Sequence, residues 1–167
     1  MNTLSETGSQ QPAARPEEMQ NLRVNLLEYF KLPPLAVDWL LALYEASQVF
    51  DDYADGEPVS RSDLNRLIWI TLVSLPQNPW YHTNSYQLLP VVANFILKWQ
   101  GSDTVERNGQ ADEVSFVWRA GFYDVVLAAV LITHGPEQAT EHADKVLRLY
   151  GEKFIDYREE FPWQSQQ

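Results

Sequence analysis

The chain has 167 residues and no cysteine, which excludes disulfides, zinc–thiolate centres and cysteine nucleophiles. Its 23 acidic residues outnumber 12 Lys and Arg, giving a formal net charge of −11, so direct binding to a phosphate backbone is not expected. A hydrophobic fraction of 45% at this length suits one domain that can bury a core of its own.

Residues 1–16 are polar and read as a flexible N-terminal tail. A helical domain is expected over 17–162, with a short C-terminal tail over 163–167. Pro16-Glu17-Glu18 opens the first helix, since proline suits a first turn and acids suit the positive end of the dipole. Leu22, Leu26, Tyr29 and Phe30 follow at helical spacing, and Pro33-Pro34 ends the run.

The second helix is expected from about Pro34 to Asp55. Trp39, Leu40, Leu43, Ser47, Phe50 and Ala54 form one face; Asp38, Glu45, Gln48, Asp52 and Asp55 form the other. Gly56 and Pro58 stop it. Ser60 or Ser62 caps a third helix through Leu64, Leu67, Ile68, Ile70, Leu72 and Leu75, which Pro76-Gln77-Asn78-Pro79 breaks.

Trp80-Tyr81-His82 reads as an aromatic connector. A fourth helix spans Asn84 to Trp99, with Pro90 as a candidate kink, and Asn108-Gly109 marks a turn. The fifth helix, Ala111 to Thr133, is apolar on almost all sides from Ala120 onward and belongs in the middle of a bundle. Gly121 on it allows a neighbouring helix to come close. Gly135-Pro136 starts a sixth helix with a buried stripe of Ala143, Val146, Leu147, Tyr150, Phe154, Tyr157 and Phe161, and with Glu141–Lys145 and Asp144–Arg148 pairs on its wet side. The expected fold is all-α, a single-domain bundle of about six helices. No basic N-terminal stretch precedes an apolar run, and Val125 to Ile132 is the longest apolar run, so a cytoplasmic protein without membrane contact is expected.

The leading chemical constellation is Asp51, Asp52 and Asp55. Asp55 lies one helical turn beyond Asp51 and Asp52, at a helix C-terminus whose dipole is already negative. Such acids are either fully hydrated or neutralised by a cation, and hard oxygen ligands suit magnesium or calcium. Asp124, a carboxylate inside an apolar helix, needs a partner from another helix. Were it to face the aspartate cluster, a magnesium site of Asp51, Asp52, Asp55 and Asp124 would result. Glu45 and Gln48 extend the polar stripe, and Trp80, Tyr81 and His82 form a second candidate binding surface. His134 suits a helix C-terminus without any catalytic role.

The DDxxD spelling of Asp51, Asp52 and Asp55 locally resembles the aspartate-rich motif of the isoprenyl diphosphate synthases. In those all-helical enzymes the motif holds magnesium and an allylic diphosphate. This chain is much shorter and lacks a second aspartate-rich motif, so the activity is not carried over. The acidic stripe also resembles, in architecture alone, the all-helical nucleotide pyrophosphohydrolases, whose EExxE spelling is absent.

Phe50-Asp51-Asp52-Tyr53-Ala54-Asp55-Gly56, Leu97-Lys98-Trp99-Gln100 and Trp118-Arg119-Ala120-Gly121-Phe122-Tyr123-Asp124-Val125-Val126 are similar to segments of small helical proteins encoded in tailed-bacteriophage genomes. That resemblance implies a phage accessory or virion-associated protein, in the host cytoplasm or the virion, and brings no catalytic residue with it. The expected function is protein–protein contact. The alternatives are a magnesium-dependent enzyme acting on a diphosphate or nucleotide, and a nucleic-acid mimic that occupies a basic partner.

Overall fold

A computed structural model describes residues 15–162, and the expected tails at 1–14 and 163–167 lie outside them. Among the described residues every regular element is helical. There are eight helices rather than about six: α1 (Arg15–Val24), α2 (Pro34–Ala54), α3 (Arg61–Trp69), α4 (Pro79–Arg107), α5 (Glu113–Arg119), α6 (Phe122–His134), α7 (Pro136–Val146) and α8 (Phe154–Glu160). The two extra helices arise where the fifth and sixth expected helices are each broken.

α1 runs into a π-turn, Asn25–Tyr29, where Phe30 N–H bonds to Asn25 O at 3.0 Å. α2 ends in a Schellman cap. Glu57 N–H reaches Asp52 O at 2.8 Å, Gly56 N–H reaches Tyr53 O at 3.3 Å, and Gly56 takes the left-handed φ of 76° that this cap requires. The aspartate motif is therefore first of all the last turn of a helix and its stop signal.

Ser60 caps α3 in a reciprocal box with Asp63. The helix then passes through a second π-turn, Ile70–Ser74, and one short turn, Leu75–Gln77. The widened turn puts Leu75 N–H on Ile70 O just before Pro76, which has no N–H to give. Asn78 then ends one helix and caps the next. Its side chain accepts from Tyr81 N at 3.0 Å and donates to Leu35 O at 2.9 Å.

Trp80-Tyr81-His82 is thus not a connector but the first turn of α4. α4 continues unbroken past Pro90 and past Trp99 to Arg107. Proline at position 90 deprives the Tyr86 carbonyl of its helical donor, and Tyr86 is 92% exposed, so water can serve instead. Asn108-Gly109 forms the expected turn, with Gly109 at φ 68°.

The expected fifth helix bends by 51° between α5 and α6. Gly121 sits at the bend, where a Cβ would come 3.0 Å from Phe95 Cδ2 and 3.3 Å from Phe95 Cα. Only glycine lets the start of α6 press against the α4 backbone this closely. The expected sixth helix stops at Val146, and a short 3₁₀ turn and a loop carry the chain to α8. The break turns Leu147 outward, while Val146 and Tyr157 are fully buried.

The main core joins Leu22, Leu26 and Phe30 of α1 and its π-turn to Val37, Trp39 and Leu40 of α2, Leu88 and Phe95 of α4, Val125, Val126, Ala129 and Val130 of α6, and Val146 of α7. A smaller cluster, Ala46, Val49, Leu67 and Ile70, fixes α3 against α2, and Leu75 touches both clusters. No single described helix is long and apolar enough to cross a membrane. The apolar length of α5 and α6 is reached only jointly across their bend, and α6 spends its own on the core.

Candidate functional site

Two of the sequence-flagged residues, Gln48 and Asp51, meet in one place, though not with the partners expected of them. A cleft of about 360 Å³ opens between α2, α4, the α5–α6 bend and the loop before α8. Its walls are aromatic: Tyr44, Phe95, Trp99, Phe122, Tyr123 and Tyr150. Its polar groups are Gln48, Asp51, Glu152, Arg119 and Glu18, joined by Ser47.

Arg119 lies at the heart of the cleft's charge, its side chain only 15% exposed. Glu152 Oε1 is 3.6 Å from Nη1, Glu106 Oε1 is 3.8 Å from Nη1, and Asp51 Oδ2 is 4.0 Å from Nη2. The guanidinium stacks over Tyr157 at 5.3 Å and Phe161 at 5.7 Å. Burial alone drags its pKa down, but Glu152, Glu106, Asp51 and Glu160 outweigh that and hold it above the usual arginine value. Nη1 is buried and makes no hydrogen bond, so the attraction is ionic contact at a distance rather than a fitted fork.

The carboxylates around this one cation repel each other. Burial, and then the neighbouring Asp51, push the Asp55 carboxyl up to about 6, with Arg119 pulling the other way. Glu106 and Glu160 are raised as well, chiefly by burial. Glu106 is nearly enclosed, its side chain 8% exposed. It accepts a hydrogen bond from Tyr157 Oη at 2.8 Å, and Tyr157 Oη lies 2.5 Å from Ser115 Oγ. Ser115 in turn caps α5 with Asp112. One buried chain of polar groups therefore keys α8 to α5 and α4 and holds Arg119 from behind.

Asp51 is anchored by Trp99, whose Nε1 donates to Oδ1 at 2.7 Å. Tyr150 Oη donates to Glu152 Oε2 at 2.7 Å, and Tyr123 Oη donates to Leu149 O at 3.1 Å. Burial raises the pKa of both tyrosines, which keeps them neutral donors.

The remaining flagged residues lie apart. Asp124 does find its partner on another helix, but the partner is Lys98, with Nζ to Oδ2 at 2.6 Å. Among the described residues no group of three or more His, Asp or Glu side chains is arranged to hold a metal ion. The expected set of Asp51, Asp52, Asp55 and Asp124 is thus not gathered into one: Asp51 serves Trp99 and Asp124 serves Lys98. Glu45 pairs with Arg66 on α3. Tyr81 stacks on Trp39 at 5.1 Å and Trp80 packs against the same ring at 5.9 Å, so both are largely core residues, while His82 faces solvent. His134 contacts Phe30 O at 2.7 Å, tying α6 to the end of α1.

A second surface lies on α3 and α4. From Leu67 to Leu97 the chain contains no Asp, Glu, Lys or Arg, in a protein of net charge −11. α3 and its π-turn bury Leu67 and Ile70 and turn Leu64, Ile68, Trp69 and Leu72 outward, with Trp69 66% and Leu72 72% exposed. α4 likewise exposes Tyr86, Leu89, Ile96 and Leu97. Counting charges along the sequence would have found this stretch; helical periodicity alone does not tell its outward apolar residues from its buried ones. No known family, curated protein or solved structure matches the chain.

Proposed function

We propose that the chain is an acidic helical interaction protein that acts by protein–protein contact through the outward apolar side chains of α3 and of the π-turn that follows it. The kind suggested by its resemblance is a phage accessory or virion-associated protein. The observation that carries this reading is the exposure of Leu64, Ile68, Trp69 and Leu72 side by side along one helix face. An interface core is depleted of charge and anchored by aromatic and aliphatic side chains, and this face has that composition. Burying one such side chain is worth about 1.5–3 kcal/mol. The chain as a whole is acidic, with a net charge of −11, so long-range attraction favours a basic partner that presents an apolar groove.

A photo-crosslinking amino acid at position 69 or 72, compared with one at position 141 on α7, tests the assignment in cells that make the full chain. Adducts should form at 69 and 72, and the partner identified from them should bind the purified protein. Trp69→Ser with Leu72→Ser should then weaken that binding by about a hundredfold or more, as loss of two anchors demands. Equal labelling at position 141, or unchanged affinity in a variant with wild-type helicity and melting temperature, would refute the assignment.

A further inference from the structure

The cleft beside Trp99 lies outside the contact face just assigned, and the two are independent. Its volume of about 360 Å³ falls in the range of small-ligand sites, and its walls combine many rings with a few converging polar groups. At about 30 Å³ per water it holds about a dozen water volumes, enough for a compact aromatic molecule.

The walls also decide the charge of the occupant. Asp51 and Glu152 line the cleft and Glu18 joins them, against the single cation Arg119. Arg119 is already matched from its buried side by Glu106. Asp51 Oδ1 and Glu152 Oε2 are occupied by Trp99 and Tyr150. Their other oxygens, Oδ2 and Oε1, lie 4.0 and 3.6 Å from the guanidinium, beyond hydrogen-bond length, and keep acceptor capacity for a donor entering the cleft. An anion there would meet three carboxylates. A cation meets acceptors on its charged end and the negative faces of aromatic rings along its body.

We propose that this cleft binds a small organic cation, a primary ammonium carried on a short aromatic or apolar body, with Asp51 and Glu152 receiving the ammonium and Trp99, Tyr44 and Tyr123 packing the body.

Phenethylammonium, its neutral analogue phenethyl alcohol and the anion 3-phenylpropionate separate charge from shape. Each is titrated into the full chain at neutral pH, by calorimetry and by Trp side-chain NMR shifts. The ammonium should bind saturably at one site and move the Trp99 Nε1–H resonance. The alcohol should bind at least about tenfold more weakly, and the anion more weakly still, if charge supplies about 1.4 kcal/mol of the binding. Glu152→Gln and Asp51→Asn should each erode the preference for the ammonium over the alcohol, whereas Asp38→Asn, whose carboxylate pairs with Arg23, should leave it intact. Glu152 lies on a loop, so its variant decides the matter even if Asp51→Asn unfolds. Equal binding of ammonium and alcohol, no saturable binding of the ammonium, or a preference untouched by Glu152→Gln overturns the proposal.

Discussion

Replacing Tyr157 with phenylalanine removes a single oxygen from a fully buried ring and leaves the packing shape nearly intact. That oxygen donates to Glu106 Oε1 at 2.8 Å and sits 2.5 Å from Ser115 Oγ. The bond to Glu106 is charge-assisted and its acceptor is almost enclosed, so its loss should cost about 2 kcal/mol at neutral pH. For a chain of this size that is about 4–8 °C in Tm. The cost should depend on pH with a defined sign. Burial raises the Glu106 pKa, and the Tyr157 bond holds it down, so the variant raises it further. A carboxyl whose folded pKa lies above its unfolded value destabilises the fold when ionised, and the fold recovers stability as pH falls through the folded pKa. Tyr157→Phe should therefore hurt most where Glu106 is ionised and least below the ordinary glutamate value of 4.5, which its folded pKa exceeds. Urea unfolding at pH 4 and pH 7.5, followed by circular dichroism, measures both differences. A loss under about 0.5 kcal/mol, or an equal loss at both pH values, would refute the view that this hydroxyl supports a buried carboxylate.

Gly121→Ala places a methyl group 3.0 Å from Phe95 Cδ2 and 3.3 Å from the Phe95 backbone, which cannot swing away. It should destabilise by about 1–3 kcal/mol by chemical denaturation, although alanine is the better helix former. Asp55→Asn should stabilise the protein above pH 6, because the carboxyl is held at about 6 by burial and by Asp51. A shift of that size corresponds to about 3 kcal/mol, which exposure to solvent reduces to about 1 kcal/mol, and the gain should shrink as pH falls from 6 towards 4. Magnesium titrated calorimetrically into wild type and Asp52→Ala should give the same unsaturable heats; a saturable heat lost in the variant would restore the diphosphate-enzyme reading of the aspartate motif.

Local chemistry was legible in the sequence. The helix stop at Gly56, the turn at Asn108-Gly109 and the close approach at Gly121 each depend on one or two residues and their immediate backbone, and each was read at the right place; the α3 cap was narrowed to two serines, of which Ser60 serves. So was the need of Asp124 for a partner on another helix. Errors fell where a local signal was overruled by packing. The fourth helix, expected to end at Trp99, runs on to Arg107, and the expected aromatic connector is its first turn. The fifth and sixth expected helices broke at Ala120-Gly121 and after Val146.

What the sequence determined by itself was the class: apolar residues at helical spacing, no alternating run, acids in excess and no cysteine leave little but a helical protein with an acidic surface. What only the tertiary structure decided was company. Asp51 belongs with Trp99 and Arg119, Asp124 with Lys98, and Glu106 with Tyr157, pairs separated by 26 to 68 positions in the chain. Periodicity reports which side of a helix a residue occupies, but not which other helix that side will meet. The same limit hid the surface: Leu67 and Ile68 are neighbours of one chemical kind, and only the docking of α3 on α2 buries one and leaves the other in water.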